Sequence, residues 1–218
     1  MPIFPSNYIE NTTIKFRFIL ILFFFLALFF ISNLDIKISP RKVFVQISSC
    51  SGGASFSNMG TWGPIKPGMS FESEVIITTA SGGQVSINLP WDNGLKIFPS
   101  SEIRITIPTV ASSAKGIVKA KAQLLNGEVT VSIGVAGREK VEIEAGDVIV
   151  VGFSGLFKVI FDSTTMAGEV VVKNGLVECI DRIRSGRRQK ISGFYKTLFS
   201  PRKIESPKAA NILSYVWR

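Results

Sequence analysis

The chain has 218 residues, 46% of them hydrophobic, which is enough for one medium-sized core with appendages. Its formal charge of +9 is unevenly placed: residues 35–180 carry 13 basic and 13 acidic side chains, whereas residues 181–218 carry 10 basic and 2 acidic ones. The absence of histidine removes Ser-His and Cys-His nucleophile pairs and imidazole metal ligation, and the neutral middle lacks the clustered Lys and Arg of a nucleic-acid surface.

Residues 1–15 form a short polar segment with Pro2 and Pro5. An unbroken apolar run of 14 residues follows at 18–31, about 21 Å long as a helix. With Arg17 snorkelling and Ser32 and Asn33 at the interface, residues 16–34 approach the length that spans a bilayer core of about 30 Å. The alternatives are a cleaved signal peptide and an uncleaved anchor. A cleavage site wants small residues after the apolar core, where this chain has Phe29, Phe30, Ile31 and Asn33, so the reading favours a transmembrane signal anchor. Lys15 and Arg17 precede the span and Lys37, Arg41 and Lys42 follow it, so loop charge does not decide orientation. Because long domains translocate despite such a bias, the expectation is a single-pass membrane protein with its C-terminal domain outside the cytoplasm, in the periplasm.

From residue 43 the period becomes two. VFVQIS reads as a first strand and the Ser/Gly-rich residues 50–69 as a turn-rich passage. Strands are then predicted at 74–79, 84–89, 94–98, 102–107, 117–125, 128–133, 140–144, 147–151, 157–161, 169–173 and 176–180. Such short strands between Gly, Asn and Ser predict an all-β sandwich, roll or β-solenoid. Asn93-Gly94, Asn126-Gly127 and Asn174-Gly175 each lie between alternating runs, and Asn-Gly takes the positive φ of a type I′ turn readily. Three hairpins are predicted there.

After residue 180 the alternation stops, and residues 181–218 read as a basic, flexible tail. Its cations, Arg182, Arg184, Arg187, Arg188 and Lys190 among them, are candidates for contact with lipid headgroups, an anionic polymer or a protein partner. The reading of AANILSYVWR is a short helix against a partner.

No catalytic constellation emerges. Gly52-Gly53 and Gly82-Gly83 lie in no phosphate-loop pattern, Asp92, Asp147 and Asp162 sit near turns, and no spacing selects a Ser-Lys dyad. No cofactor or metal is expected, and the chain reads as a non-enzyme. Trp62 and Trp91 each stand beside a turn, where an aromatic either caps the β core or projects to bind sugar or protein. Cys50 and Cys179 lie near the two ends of the β region; they are either a disulfide worth roughly 4–5 kcal/mol in an exported domain, or two free thiols acting as small apolar residues.

GTWGPIKPGMSFESEVIITTASGGQVSINLPWDNGLKIFPSSEIRI resembles the FecR domain family, with Gly68, Thr78, Leu89, Gly94, Leu95, Ile97, Pro99 and Ser101 at its positions. LLNGEVTVSI is similar to a strand pair of that family. GLFKVIFDSTTMAGEVVVKNGLVECI is similar to its closing segment through Gly155, Phe157, Val159, Val171, Gly175 and Val177. The resemblance covers residues 43–180 and rests on turn and core positions. It implies a membrane-tethered extracytoplasmic β-domain that senses or transmits a signal through protein contacts. Regulators of the family carry a cytoplasmic anti-sigma segment before the span and a further signalling subdomain after the β-domain. Here about 15 residues precede the span and only the basic tail follows, so the expected role is an interaction or signalling module with a protein partner in the cell envelope. The alternative expectation is binding of a carbohydrate or cell-wall polymer through Trp62, Trp91 and the tail.

Overall fold

Alternating side chains such as those of VIITT and QVSINL bury only if the backbone is extended, because a strand turns every second residue to the same face. The computed structural model describes residues 44–89, 92–106, 119–134, 140–184 and 187–217. Its strands are β1 (Val45–Ser51), β2 (Ala54–Asn58), β3 (Thr61–Pro64), β4 (Ser70–Phe71), β5 (Val75–Thr79), β6 (Gln84–Leu89), β7 (Asn93–Ile97) and β8 (Glu102–Thr106). They continue with β9 (Lys119–Ile133), β10 (Lys140–Ala145), β11 (Val148–Asp162), β12 (Ala167–Asp181), β13 (Arg188–Ser192), β14 (Tyr195–Ser200), β15 (Lys203–Ile204) and β16 (Lys208–Ala209), before a 3-10 turn at Ile212–Ser214. The fold is all-β, a large mixed sheet in which β9 and β10 run parallel and the other pairs antiparallel. The expected membrane span at 16–34 lies outside the described residues; among those described, no helix is long and apolar enough to cross a membrane.

Three long strands divide the sheet into two layers. The first half of β9 pairs with β8 and β10, and its second half with β7 and β11. Likewise β11 pairs with β10 through residues 148–152 and with β9 through residues 155–161. The first layer therefore runs β3-β2-β5-β8-β9-β10-β11-β12-β13, and the second β4-β1-β6-β7-β9-β11-β12-β14, with β15 and β16 on β14. One hydrophobic cluster takes inward residues from both layers, among them Ile77, Ile103, Ile143 and Val150 from the first and Ile87, Leu95, Val131 and Val159 from the second.

The long strands correct the hairpin expectation. Asn126-Gly127 and Asn174-Gly175 sit inside β9 and β12, at the corners where these strands change layer. Gly127 has φ +98° and Gly175 +91°, whereas neither asparagine has positive φ, so neither pair is a type I′ turn. The same left-handed freedom that serves a hairpin serves a bend when the neighbouring strands continue past it. Thus the strands predicted at 117–125 and 128–133, at 147–151 and 157–161, and at 169–173 and 176–180 are three strands, not six. The hairpin near Asn93 exists, but Leu89 pairs with Asn93, so Asn93 and Gly94 open β7 and are not its turn. Asp92, just before β7, takes a left-handed φ of +58°.

A two-residue turn with both φ values positive is Met59-Gly60, at +46° and +82°, joining β2 to β3 within the passage expected to be loop.

The corner of β9 is fixed by Ser101, which is 1% exposed. The Glu128 N–H donates to its hydroxyl at 2.8 Å, and its own N–H donates to Thr79 Oγ1 at 3.0 Å. Thr79 Oγ1 in turn donates to the Phe98 carbonyl at 2.6 Å. A Cβ on Gly127 would lie 2.2 Å from Ser101 Oγ, so the serine and the corner glycine require one another. Ser101 belongs to the matched positions of the resemblance; the buried threonine is Thr79 rather than Thr78.

The stretch expected to be a flexible tail continues the sheet instead. β13 pairs with β12 in the first layer and β14 pairs with β12 in the second. Ile191, Thr197 and Phe199 are buried while Arg188, Lys190 and Leu198 point outward. A high density of cations does not prevent strand formation when every second residue remains in water.

Candidate interaction surface

Asp181 ends β12 and nucleates the bend into β13: its carboxylate accepts from the N–H groups of Ile183 at 3.0 Å and Arg184 at 2.9 Å, as Asx turns do. The bend brings the basic residues together at one edge of the first layer. Arg182 reaches Glu144 at 3.5 Å, Arg188 reaches Glu178 at 3.8 Å, and the Arg184 guanidinium donates to the carbonyl of Arg202. Arg187, Arg188, Gln189 and Ile204 line an open cleft of about 240 Å³ between β13 and β15. Lys190 is exposed on the same strand. β13 pairs with β12 and, among the described residues, has no further ladder on its other side, leaving a charged strand edge. Its ion pairs involve mostly exposed cations and contribute at most about 1 kcal/mol each, so they leave these side chains free to re-pair with a partner.

Trp62 projects from β3 and is 67% exposed. Its strand and β13 are the two ends of the first layer's strand order. Trp91 lies outside the described residues. The thiols of Cys50 and Cys179 are free. Cys50 is on β1 in the second layer and Cys179 on the half of β12 that pairs with β13 in the first, and a bridge would need their Cα atoms within about 7 Å. Burial, together with the neighbouring Glu178 charge, pushes the Cys179 thiol up to about 12, leaving it an apolar filler. Among the described residues no group of three or more acidic or Cys side chains could hold a metal.

A second feature, not found from sequence, is a strap of residues 205–217 across the outer face of the second layer. β16 pairs with β14, the Ala210 N–H donates to Phe194, and Tyr215 donates to Glu169 Oε1 at 2.9 Å. Lys196 donates to the Tyr215 hydroxyl at 3.1 Å and pairs with Glu169 at 2.7 Å. Farther along, Lys158 is 1% exposed; its ammonium contacts the Glu128 carboxylate and the Val216 carbonyl, and lies 4.2 Å from the Phe98 ring centroid and 5.6 Å from that of Trp217. In FKVIF, Lys158 reads only as an outward polar position. The one local hint of the strap is the Tyr215, Trp217 spacing of two, which puts both rings on one side of an extended segment.

The hydrogen bond to Glu169, and secondarily that to Tyr215, raises the Lys196 pKa, and burial raises that of Tyr215. Both folded-state groups hold their protons above the pH at which they lose them in the unfolded chain. Stability is therefore complete at neutral pH and expected to fall as pH rises above about 10. Tyr215→Phe should lower stability by about 0.5–1.5 kcal/mol and flatten that alkaline decline, as measured by thermal unfolding between pH 7 and 11.

No family model matches the chain, and no curated protein matches it. Two crystal structures described as a "putative anti-sigma factor" from Parabacteroides distasonis share its fold: one at 15% identity and TM-score 0.51, covering 63% of this chain and 60% of its own, and one at 14% and 0.51, covering 62% and 59%. The chain thus spans about 60% of the length of the structures it matches, and the likeness is one of fold, consistent with the FecR-like reading of residues 43–180.

Proposed function

We propose that this chain is a non-enzymatic signalling or regulatory protein of the cell envelope, anchored through residues 16–34, whose β-domain works by binding another protein outside the cytoplasm. The observation that carries the reading is the fold shared with the two structures described as putative anti-sigma factors. The edge of β13 supports it, because an edge strand bearing Arg188 and Lys190 suits an acidic segment adding to the sheet. Binding of a carbohydrate or wall polymer by Trp62 and the basic residues together is disfavoured by their places at the two ends of the layer's strand order. The test is a photo-crosslinking residue placed at Ser192 in the full-length chain in cells. A discrete protein adduct that disappears with Arg188→Glu and Lys190→Glu is expected; no adduct there, or one indifferent to charge reversal, counts against the proposal.

A further inference from the structure

On the outer face of the second layer, Lys96 of β7, Thr130 of β9 and Lys158 of β11 form one cross-strand row, Lys96 opposite Thr130 and Thr130 opposite Lys158. All three side chains point away from the core, since their sequence neighbours Leu95 and Ile97, Val129 and Val131, and Phe157 and Val159 belong to it. Directly opposed residues have Cβ atoms about 4.5–5.5 Å apart, so the hydroxyl lies between two ammonium-bearing chains.

Thr130 is 4% exposed, yet its Oγ1 has no hydrogen-bond partner. A buried hydroxyl without a partner is costly and needs an explanation. The neighbouring charges indicate what is missing. Lys158 has three protons to donate and commits two of them, to Glu128 and to the Val216 carbonyl. Lys96 contacts the Phe98 ring at 5.2 Å and has no carboxylate partner among the described residues. Burial and then the charge of Lys158 lower its pKa, and with Glu128 as the one carboxylate paired to these two lysines among the described residues the row keeps a net positive charge. Several donors therefore converge with fewer acceptors than they can use. A water would satisfy the hydroxyl but not the charge, and a cation would be repelled.

We propose that Lys96, Thr130 and Lys158 bind a small oxyanion, a carboxylate or a phosphate, beside the C-terminal strap. One oxygen takes the Thr130 hydroxyl and the free Lys158 proton, and a second takes Lys96. The site is separate from the β13 edge and does not depend on the reading given for it.

Thermal unfolding of the full-length chain at pH 7 tests this, with sodium acetate or sodium phosphate replacing chloride at constant ionic strength. A saturable rise in Tm is expected. Lys96→Met and Thr130→Val should each weaken the half-saturating concentration by about tenfold or more, while Lys190→Met, on the other layer, leaves it unchanged. Thr130→Val should also raise the anion-free Tm, because it removes an unpaired buried hydroxyl, which shows that the variant folds. A rise with acetate assigns the site to carboxylates, and a rise with phosphate alone assigns it to phosphate. No saturable response to either anion, or an equal response in Thr130→Val and Lys96→Met, overturns the proposal.

Discussion

Gly175→Ala is expected to lower the stability of the domain by about 3–5 kcal/mol, near the upper end of what a single substitution does. Gly175 stands at the corner of β12 opposite Gly155 at the corner of β11, with φ values of +91° and +85°. An alanine Cβ at 175 would lie 2.1 Å from the Ser154 carbonyl oxygen and 2.9 Å from Gly155 Cα. Both obstacles are backbone, so no side-chain rotation relieves them. Moving β11 away would break the 2.7 Å bond from the Leu156 N–H to Asn174 Oδ1, which fastens the two corners together. The control is Gly60→Ala: Gly60 has φ +82°, but nothing lies within 4 Å of its hypothetical Cβ. Only the left-handed strain remains there, about 1–2 kcal/mol. Equilibrium urea unfolding of both variants separates the contributions. If Gly175→Ala costs no more than Gly60→Ala, the corners do not depend on the close approach of the two backbones.

This pair of glycines also marks how far local sequence carries. The alternation of VIITT, QVSINL and EIRIT reads directly as β5, β6 and β8, because each has one buried face and short polar punctuation at its ends. Asn126-Gly127 and Asn174-Gly175 are equally visible as places of positive φ, but whether the chain then folds back or continues into another layer depends on partners distant in sequence. Met59-Gly60 shows the converse: it adopts a two-residue hairpin geometry without the usual asparagine, because the β2–β3 register requires it. For the surface, Arg182, Arg184, Arg187, Arg188 and Lys190 were legible as a basic cluster, since they are close in sequence. Thr130, Lys96 and Lys158 were not, because only the register places them side by side. β13 and β14 were hidden by charge: ten cations in residues 181–218 read as solvated chain, and the burial of Ile191 in β13 and of Thr197 and Phe199 in β14 is too brief a pattern to oppose that.

Lys158→Met should cost about 2–3 kcal/mol and release the strap, although methionine fills nearly the same volume. The lysine is 1% exposed and is the only described group whose ammonium joins the strap, through Val216, to β9, through Glu128. Without it the Glu128 carboxylate loses its counter-charge, and the Val216 carbonyl loses its donor. The Glu128 side chain is 29% exposed, so water takes up part of the loss, which places the cost below the 3–5 kcal/mol typical of breaking a fully buried pair. The Phe98 and Trp217 rings that face the ammonium lose a cation–π contact as well. Hydrogen exchange separates this local effect from general destabilisation. In Lys158→Met the amides of Ser214 and Tyr215, which bond back to Asn211 and Ile212, should exchange much faster than in the wild type, while the Glu128 amide, held by Ser101, keeps most of its protection. Adding Glu128→Gln should recover part of the stability, because the stranded charge is then gone, but should not restore the strap, because the donor to Val216 is still missing. Uniform loss of protection in both regions would mean that Lys158 supports the sheet as a whole and does not hold the strap.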